Sequence, residues 1–167
     1  MEENQELRWL IMAKSGDSTA LTALIEMHYV GVYHYAYKLT FNHHMSEDVT
    51  QETFTRWIVH LDAYLPKAKL STYLITIAAN IIKDTYRKNA NGKKAFDVIY
   101  ANESDQIDID FSQNLLIREA LLKLEIQTRS IIVLKEYYGY SIKEISNMLK
   151  IPEGTVKSKC HYGLKQV

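Results

Sequence analysis

The chain is poor in everything that interrupts a helix. Its 167 residues hold only two prolines and six glycines, so helices have few places to stop. One cysteine, Cys160, excludes an internal disulfide and suits a reducing compartment. No apolar run approaches the roughly twenty residues that a membrane-spanning helix needs. No cationic-then-apolar leader opens the chain. A cytoplasmic protein with no direct membrane insertion is therefore expected. A formal net charge of zero excludes a uniformly cationic, histone-like binder. No glycine-rich phosphate loop, paired-carboxylate site or nucleophile–base arrangement stands out, so neither an enzyme nor a cofactor is expected. Six histidines raise the question of a metal. His28 and His34 do not share one helix face at i, i+4, His43 and His44 are adjacent, and only one thiol is available to help, so no metal site is expected either.

What is present is helical periodicity. With 47% hydrophobic residues the chain can bury a core. Residues 3–14 carry Leu7, Leu10 and Ile11 on one face before Gly16-Asp17 breaks the pattern. Residues 18–40 place Leu21, Leu24, Ile25, His28, Val32, Ala36 and Leu39 at helical spacing, with an aromatic belt of Tyr29, Tyr33, Tyr35 and Tyr37. Asn42-His43-His44 reads as the next break, with Ser46 as N-cap of a helix that buries Val49, Thr53, Trp57, Ile58 and Leu61. Its other face shows Asp48, Gln51, Glu52, Thr55 and Arg56. A loop over residues 62–70, bent by Pro66, leads to a helix capped by Ser71. That helix buries Leu74, Ile77, Ala78, Ile81 and Ile82 and shows Thr76, Asn80, Lys83, Asp84 and Arg87.

Residues 89–112 lose the period and gain scattered acids. They read as a flexible linker between two small helical domains, residues 1–88 and 113–167. Beyond it, residues 113–124 form a helix through Leu116, Ala120 and Leu124, and residues 128–138 a second, closed by Gly139 at a left-handed position. No residue argues for a sheet, so the fold class is all-α. Charge divides along the chain: residues 113–167 hold nine Lys and Arg against five Asp and Glu, whereas the linker is acidic.

The basic surplus accompanies residues 141–167. Ile142, Ile145, Met148 and Leu149 lay an apolar stripe along one helix, the segment 151–154 interrupts it at Pro152, and Val156, Cys160, Leu164 and Val167 resume the stripe. That spacing turns Lys157, Ser158, His161, Tyr162 and Lys165 outward, with Lys159 at the flank and Cys160 packed as a small apolar residue. The outline is a helix-turn-helix whose second helix enters the major groove. On this stretch alone, a helical hairpin with a solvated cationic face is an equal reading.

Four motifs in order decide between them. They are Gly16-Asp17 ahead of the aromatic helix; Glu47-Asp48-Val49-Thr50-Gln51-Glu52-Thr53-Phe54; Ser71-Thr72-Tyr73-Leu74 with Ile77-Ala78-Ala79-Asn80, Asp84 and Arg87-Lys88; and Glu144-Ile145 followed by Ile151-Pro152-Glu153-Gly154-Thr155-Val156-Lys157-Ser158-Lys159. Together they resemble the bacterial RNA polymerase sigma factors of the extracytoplasmic-function (ECF) group of the sigma-70 family. The resemblance implies a subunit that binds core RNA polymerase and directs promoter-specific initiation. It implies a polymerase-binding face at Asp48, Gln51 and Glu52. Minus-ten DNA would meet Tyr64, Lys67, Lys69, Tyr73, Asn80, Lys83, Asp84, Arg87 and Lys88, whose rings and cations suit an opened strand. Minus-thirty-five DNA would meet Thr155, Lys157, Ser158, Lys159, His161 and Tyr162. An anti-sigma factor, often membrane-bound in this family, is a further implied partner. Tyr73 stands where the family usually has Trp, Gly163 where it commonly has Ala, and Lys150 replaces a turn glycine, at up to about 1 kcal/mol if that position needs positive φ. A stand-alone helix-turn-helix regulator is the alternative, and it leaves the faces at residues 48–52 and 80–87 unexplained.

Overall fold

The computed structural model describes residues 1–89 and 115–167. Four helices precede the undescribed stretch: α1 (Glu2–Lys14), α2 (Ser18–Thr40), α3 (His43–Val59) and α4 (Leu70–Lys88). Four follow it: α5 (Leu115–Leu122), α6 (Ile126–Ile132), α7 (Ile142–Leu149) and α8 (Glu153–Gln166). No strand occurs among the described residues. The expected linker lies outside them apart from Asn89, which ends α4.

Local chemistry sets most boundaries. Asp17 caps α2 by accepting from the amides of Thr19 and Ala20 at 2.9 and 3.1 Å. Phe41 ends that helix in the left-handed region at φ 49°. Asn42, not Ser46, caps α3, its side-chain oxygen accepting from the Met45 amide at 2.7 Å. The helix thus begins four residues earlier than expected, and Ser46 is an interior residue whose hydroxyl donates to the Asn42 carbonyl. Ser71 is not a cap either: α4 begins at Leu70, after Lys69, without a side-chain cap. The segment after α6 widens into a π-helical turn at Val133–Tyr137 before Gly139 turns the chain at φ 71°.

Burial follows the apolar stripes with six departures. Leu7, Ile11, Ile58, Leu116, Leu164 and Val167 are exposed. On α3 the inward line runs through Val49, Thr53, Phe54 and Trp57, so Ile58, one position past Trp57, is carried around the helix. Leu121 and Leu124 are the buried leucines around α5, and Cys160 and Gly163 are the last buried positions of α8. Gly163 is where α8 seats on α6. A Cβ there would stand 2.6 Å from Thr128 Cγ2 and 2.7 Å from Ile132 Cδ1, which is why Gly and not Ala occupies the position.

The two halves, tethered in the expectation, share one apolar core in the structure. It runs continuously from Leu10 through Trp57 and Leu74 to Ile131, Ile145 and Cys160. Most of the aromatic belt of α2 lies at this seam: Tyr33 and Tyr37, with Phe41, cluster with Leu121, Leu124 and Ile132, while Tyr29 stacks on Phe54 of α3. Fully buried Tyr35 meets the Ser130 hydroxyl at 2.9 Å. The Lys38 ammonium lies over the rings of Tyr137 and Tyr138 at 4.7 and 5.2 Å, and burial lowers its pKa. Arg129, 5% exposed, donates to the carbonyls of Leu121, Leu122 and Leu124 and, across the seam, to that of Leu39.

Two stability outcomes are expected. Lys150 holds φ 55° as the C-cap of α7, a conformation that costs a side chain about 1 kcal/mol relative to glycine. Lys150→Gly should therefore raise the thermal midpoint by about 2–4 °C. Arg129→Met strands carbonyls on both sides of the seam and should cost about 3 kcal/mol in a denaturant titration; an unchanged midpoint would show that the guanidinium holds nothing together.

Candidate nucleic-acid interface

Three exposed faces emerge from this packing. On α3, Asp48, Gln51 and Glu52 fall at i, i+3 and i+4 and are exposed, because Val49, Thr53 and Trp57 claim the opposite side for the core. Glu52 accepts from Arg56 Nε at 2.9 Å; both side chains are about half exposed, so the pair adds little stability. The face carries acid on a rigid helix and is free to meet a cationic partner.

The second face belongs to α4 and the loop before it. Asp84, Arg87, Lys88, Lys67 and Lys69 are exposed, and Tyr73, Asn80 and Lys83 are half-buried. Asn80 donates its amide to the Thr76 carbonyl at 2.8 Å, and its oxygen lies 3.5 Å from the Lys83 ammonium. A groove of about 400 Å³ gathers Tyr73, Asn80, Lys83 and Asp84. Arg87 and Lys88 lie beyond it, on the last turn of the helix. Tyr64 departs from expectation. Only 5% exposed, it packs against Tyr73 with ring centroids 4.7 Å apart, and burial raises the pKa of its hydroxyl. The Lys14 ammonium bonds its carbonyl and sits 5.9 Å from its ring. Tyr64 therefore anchors the loop to α1, and it borders the cleft that Lys67, Lys69 and Tyr73 also line.

The third face is α8. A capping box starts α7, the Ser141 hydroxyl accepting from the Glu144 amide at 3.2 Å and the Glu144 carboxylate from the Ser141 amide at 2.7 Å. That backbone bond, followed by the Ser141 side chain, holds the carboxyl below the usual carboxylate range. Buried Ile145, Met148 and Leu149 of α7 then pack with Val156 and Cys160 of α8. Desolvation pushes the Cys160 thiol up, as suits a packed apolar residue. Outward stand Lys157, Ser158, His161 and Tyr162, all exposed, with Thr155 half-buried. Lys159 is different: its ammonium meets the Glu125 carboxylate at 2.9 Å, so part of its charge is already answered.

Sequence reasoning missed several lining residues. Arg56, His60 and Lys150 border the Asn80 groove, and Tyr138 and Tyr140 wall a second cleft beside Lys67 and Lys69. The dense tyrosine run at residues 137–140 was the available signal; nothing local revealed that the helix-turn-helix turn would approach α4. Among the described residues no helix is long and apolar enough to cross a membrane, and no three His, Cys, Asp or Glu side chains gather as metal ligands.

Comparison with known proteins bears on what these faces serve. The family model for Sigma-70 region 2 matches residues 24–92, and that for Sigma-70, region 4 matches residues 114–167. The ECF RNA polymerase sigma factor SigW of Bacillus subtilis is 31% identical over 90% of this chain and 88% of its own length. The ECF RNA polymerase sigma factor SigL of Mycobacterium tuberculosis is 30% identical over 92% of this chain and 89% of its own. Among solved structures, the sigma factor RpoE of Bartonella quintana, in complex with the anti-sigma factor NepR, matches with a TM-score of 0.69 at 20% identity, covering 87% of this chain and 92% of that one. CnrH in complex with the cytosolic domain of CnrY matches with a TM-score of 0.67 at 21% identity, covering 97% and 94%. At those identities the two structures speak for the fold alone. Both family models, on either side of the undescribed stretch, and relatives matched along nearly their whole length place the chain in one family: it is an extracytoplasmic-function sigma factor of the sigma-70 family, and its function is that of a sigma factor rather than of a stand-alone helix-turn-helix regulator.

Proposed function

We propose that the three faces divide the work of initiation: α3 docks on core RNA polymerase through Asp48, Gln51 and Glu52, α4 and its preceding loop meet the minus-ten element, and α8 meets the minus-thirty-five element. Residues 1–88 and 113–167 are the corresponding units. The observation that carries this division is the exposure of two acids and a glutamine on α3 and a hydroxyl- and lysine-bearing face on α8, each backed by a buried stripe. Acid on a rigid helix suits a basic surface of the polymerase; lysines and hydroxyls suit phosphates and base edges. The chain supplies binding and no catalysis, and chemistry stays with the polymerase. It works in the cytoplasm, where polymerase and DNA are. An anti-sigma factor of the kind bound to the solved neighbours is a further proposed partner, masking these faces until a signal releases them.

Purified protein added to sigma-free core polymerase should yield site-specific transcripts from a library of promoter fragments; duplex binding without such transcripts would sink the assignment. Charge reversal at Asp48 and Glu52 should weaken core binding at least about tenfold, since like charges at an interface cost several kcal/mol. Circular dichroism of that variant should stay unchanged, because both side chains are exposed. On minus-thirty-five duplex, Lys157→Ala should lower the slope of log affinity against log salt by about one, the share of one phosphate contact. Lys159→Ala should lower it less, because the Glu125 carboxylate already answers part of that ammonium's charge. Equal effects of the two would contradict the geometry of α8.

A further inference from the structure

The turn that joins α7 to α8 comes up against the end of α3 and against α4, and a cleft of about 400 Å³ remains between them. That volume lies in the range of about 300–1,000 Å³ usual for small-molecule sites. Four basic side chains from three elements line it: Arg56 and His60 at the end of α3, Lys83 on α4 and Lys150 at the end of α7. The one acid among the lining residues is Asp84.

These charges are gathered but not neutralised. Glu52 takes Arg56 through Nε alone, at 2.9 Å, which leaves the two terminal nitrogens of the guanidinium for another partner. Lys83 has the Asn80 oxygen at the long distance of 3.5 Å. Among the described residues neither Lys83 nor Lys150 forms an ion pair, and Asp84 pairs with none of the cations in the cleft. Like charges on facing walls repel, yet packing elsewhere holds these walls together. Lys150 adds strain of its own. It holds φ 55°, a left-handed conformation that glycine takes readily, and its exposed side chain lines the cleft. Residues held in such conformations cluster where ligands are clamped.

A compact anion with several phosphates answers each of these features. The Arg56 fork and the ammonium groups of Lys83 and Lys150 are donors for charge-assisted hydrogen bonds to phosphate oxygens, and an anion between the walls removes their repulsion. A single negative charge is too little for three fixed cations. An apolar ligand is excluded, because Ile77 is the one wholly apolar side chain lining the cleft. We propose that this cleft is a site for an oligophosphate, free or as the tail of a nucleotide, which ties the turn of the helix-turn-helix to α3 and α4. It shares Lys83 with the proposed minus-ten face, but binding there needs neither promoter nor polymerase.

The test is isothermal titration calorimetry of the full chain with inorganic tripolyphosphate, ATP and orthophosphate, all without magnesium, beside thermal melts. Tripolyphosphate and ATP should bind at least about tenfold more tightly than orthophosphate, and tripolyphosphate should raise the thermal midpoint by binding the folded chain. Lys150→Gly should weaken tripolyphosphate binding at least about tenfold, the share of one hydrogen bond to a charged group, and Lys150→Arg should restore it. The midpoint of Lys150→Gly without ligand should rise, so unfolding does not explain its lost binding. Lys143 is an exposed lysine of α7 outside the cleft, and Lys143→Ala should bind as wild type does. No binding, equal affinity for orthophosphate, or equal affinity of wild type and Lys150→Gly would each overturn the site. A loss in Lys143→Ala as large as that in Lys150→Gly would overturn it too, as diffuse surface charge. Similar affinities for ATP and tripolyphosphate support recognition of the phosphate chain itself; binding of ATP alone would defeat that assignment. Promoter-directed transcription by the same wild-type protein reports separately on the three faces, so its failure leaves the oligophosphate site standing and its success does not rescue a cleft that binds nothing.

Discussion

The arrangement of the two halves depends on one buried guanidinium. Arg129 donates to three carbonyls at the end of α5 and to one at the end of α2. The last carbonyls of a helix have no partner inside it and carry the negative end of its dipole. A cation with several fixed donors can answer two such ends at once, as a lysine ammonium, with fewer and undirected donors, does not. Burying the charge is costly unless its hydrogen bonds are made. The bonds at Arg129 hold α6 against the end of α2, and the aromatic cluster of Tyr33, Tyr37, Phe41, Leu121, Leu124 and Ile132 closes around them.

From that seam the remaining geometry follows. With α6 fixed on α2, α8 seats on α6 through Gly163, and α7 is carried toward α4. The contact between Thr72 and Tyr140 and the approach of Lys150 to the Asn80 groove are consequences of that placement. The exposed faces are what the core leaves over. Asp48, Gln51 and Glu52 point out because Trp57 and Val49 point in, and the lysines of α8 point out because Val156 and Cys160 point in.

Element identity was legible where periodicity was strong and punctuation unambiguous. The bounds of α2 coincide with Asp17 and Thr40, and the ends of α7 follow from Ser141, Glu144 and the break after Leu149. Two caps differ from the expectation: Asn42, read as part of a break, caps α3 in place of Ser46, and α4 begins after Lys69 with no side-chain cap where Ser71 is expected. Tyr64 is more buried than its loop position suggests, because the partners that cover it, Lys14 and Tyr73, come from other parts of the chain.

By itself the sequence determined an all-helical chain, the family, and the residues that cannot enter a core. Those properties rest on local spacing, capping chemistry and motif order, which neighbouring residues settle among themselves. The tertiary structure decided that the halves share a core, that Tyr33, Tyr35 and Tyr37 of α2 lie at the seam, and that Lys150 accepts left-handed strain beside the residues of α4. Each needs groups up to 95 positions apart, as Tyr35 and Ser130 are, to meet at hydrogen-bonding distance. No local pattern encodes such a meeting; packing the buried stripes against one another brings it about.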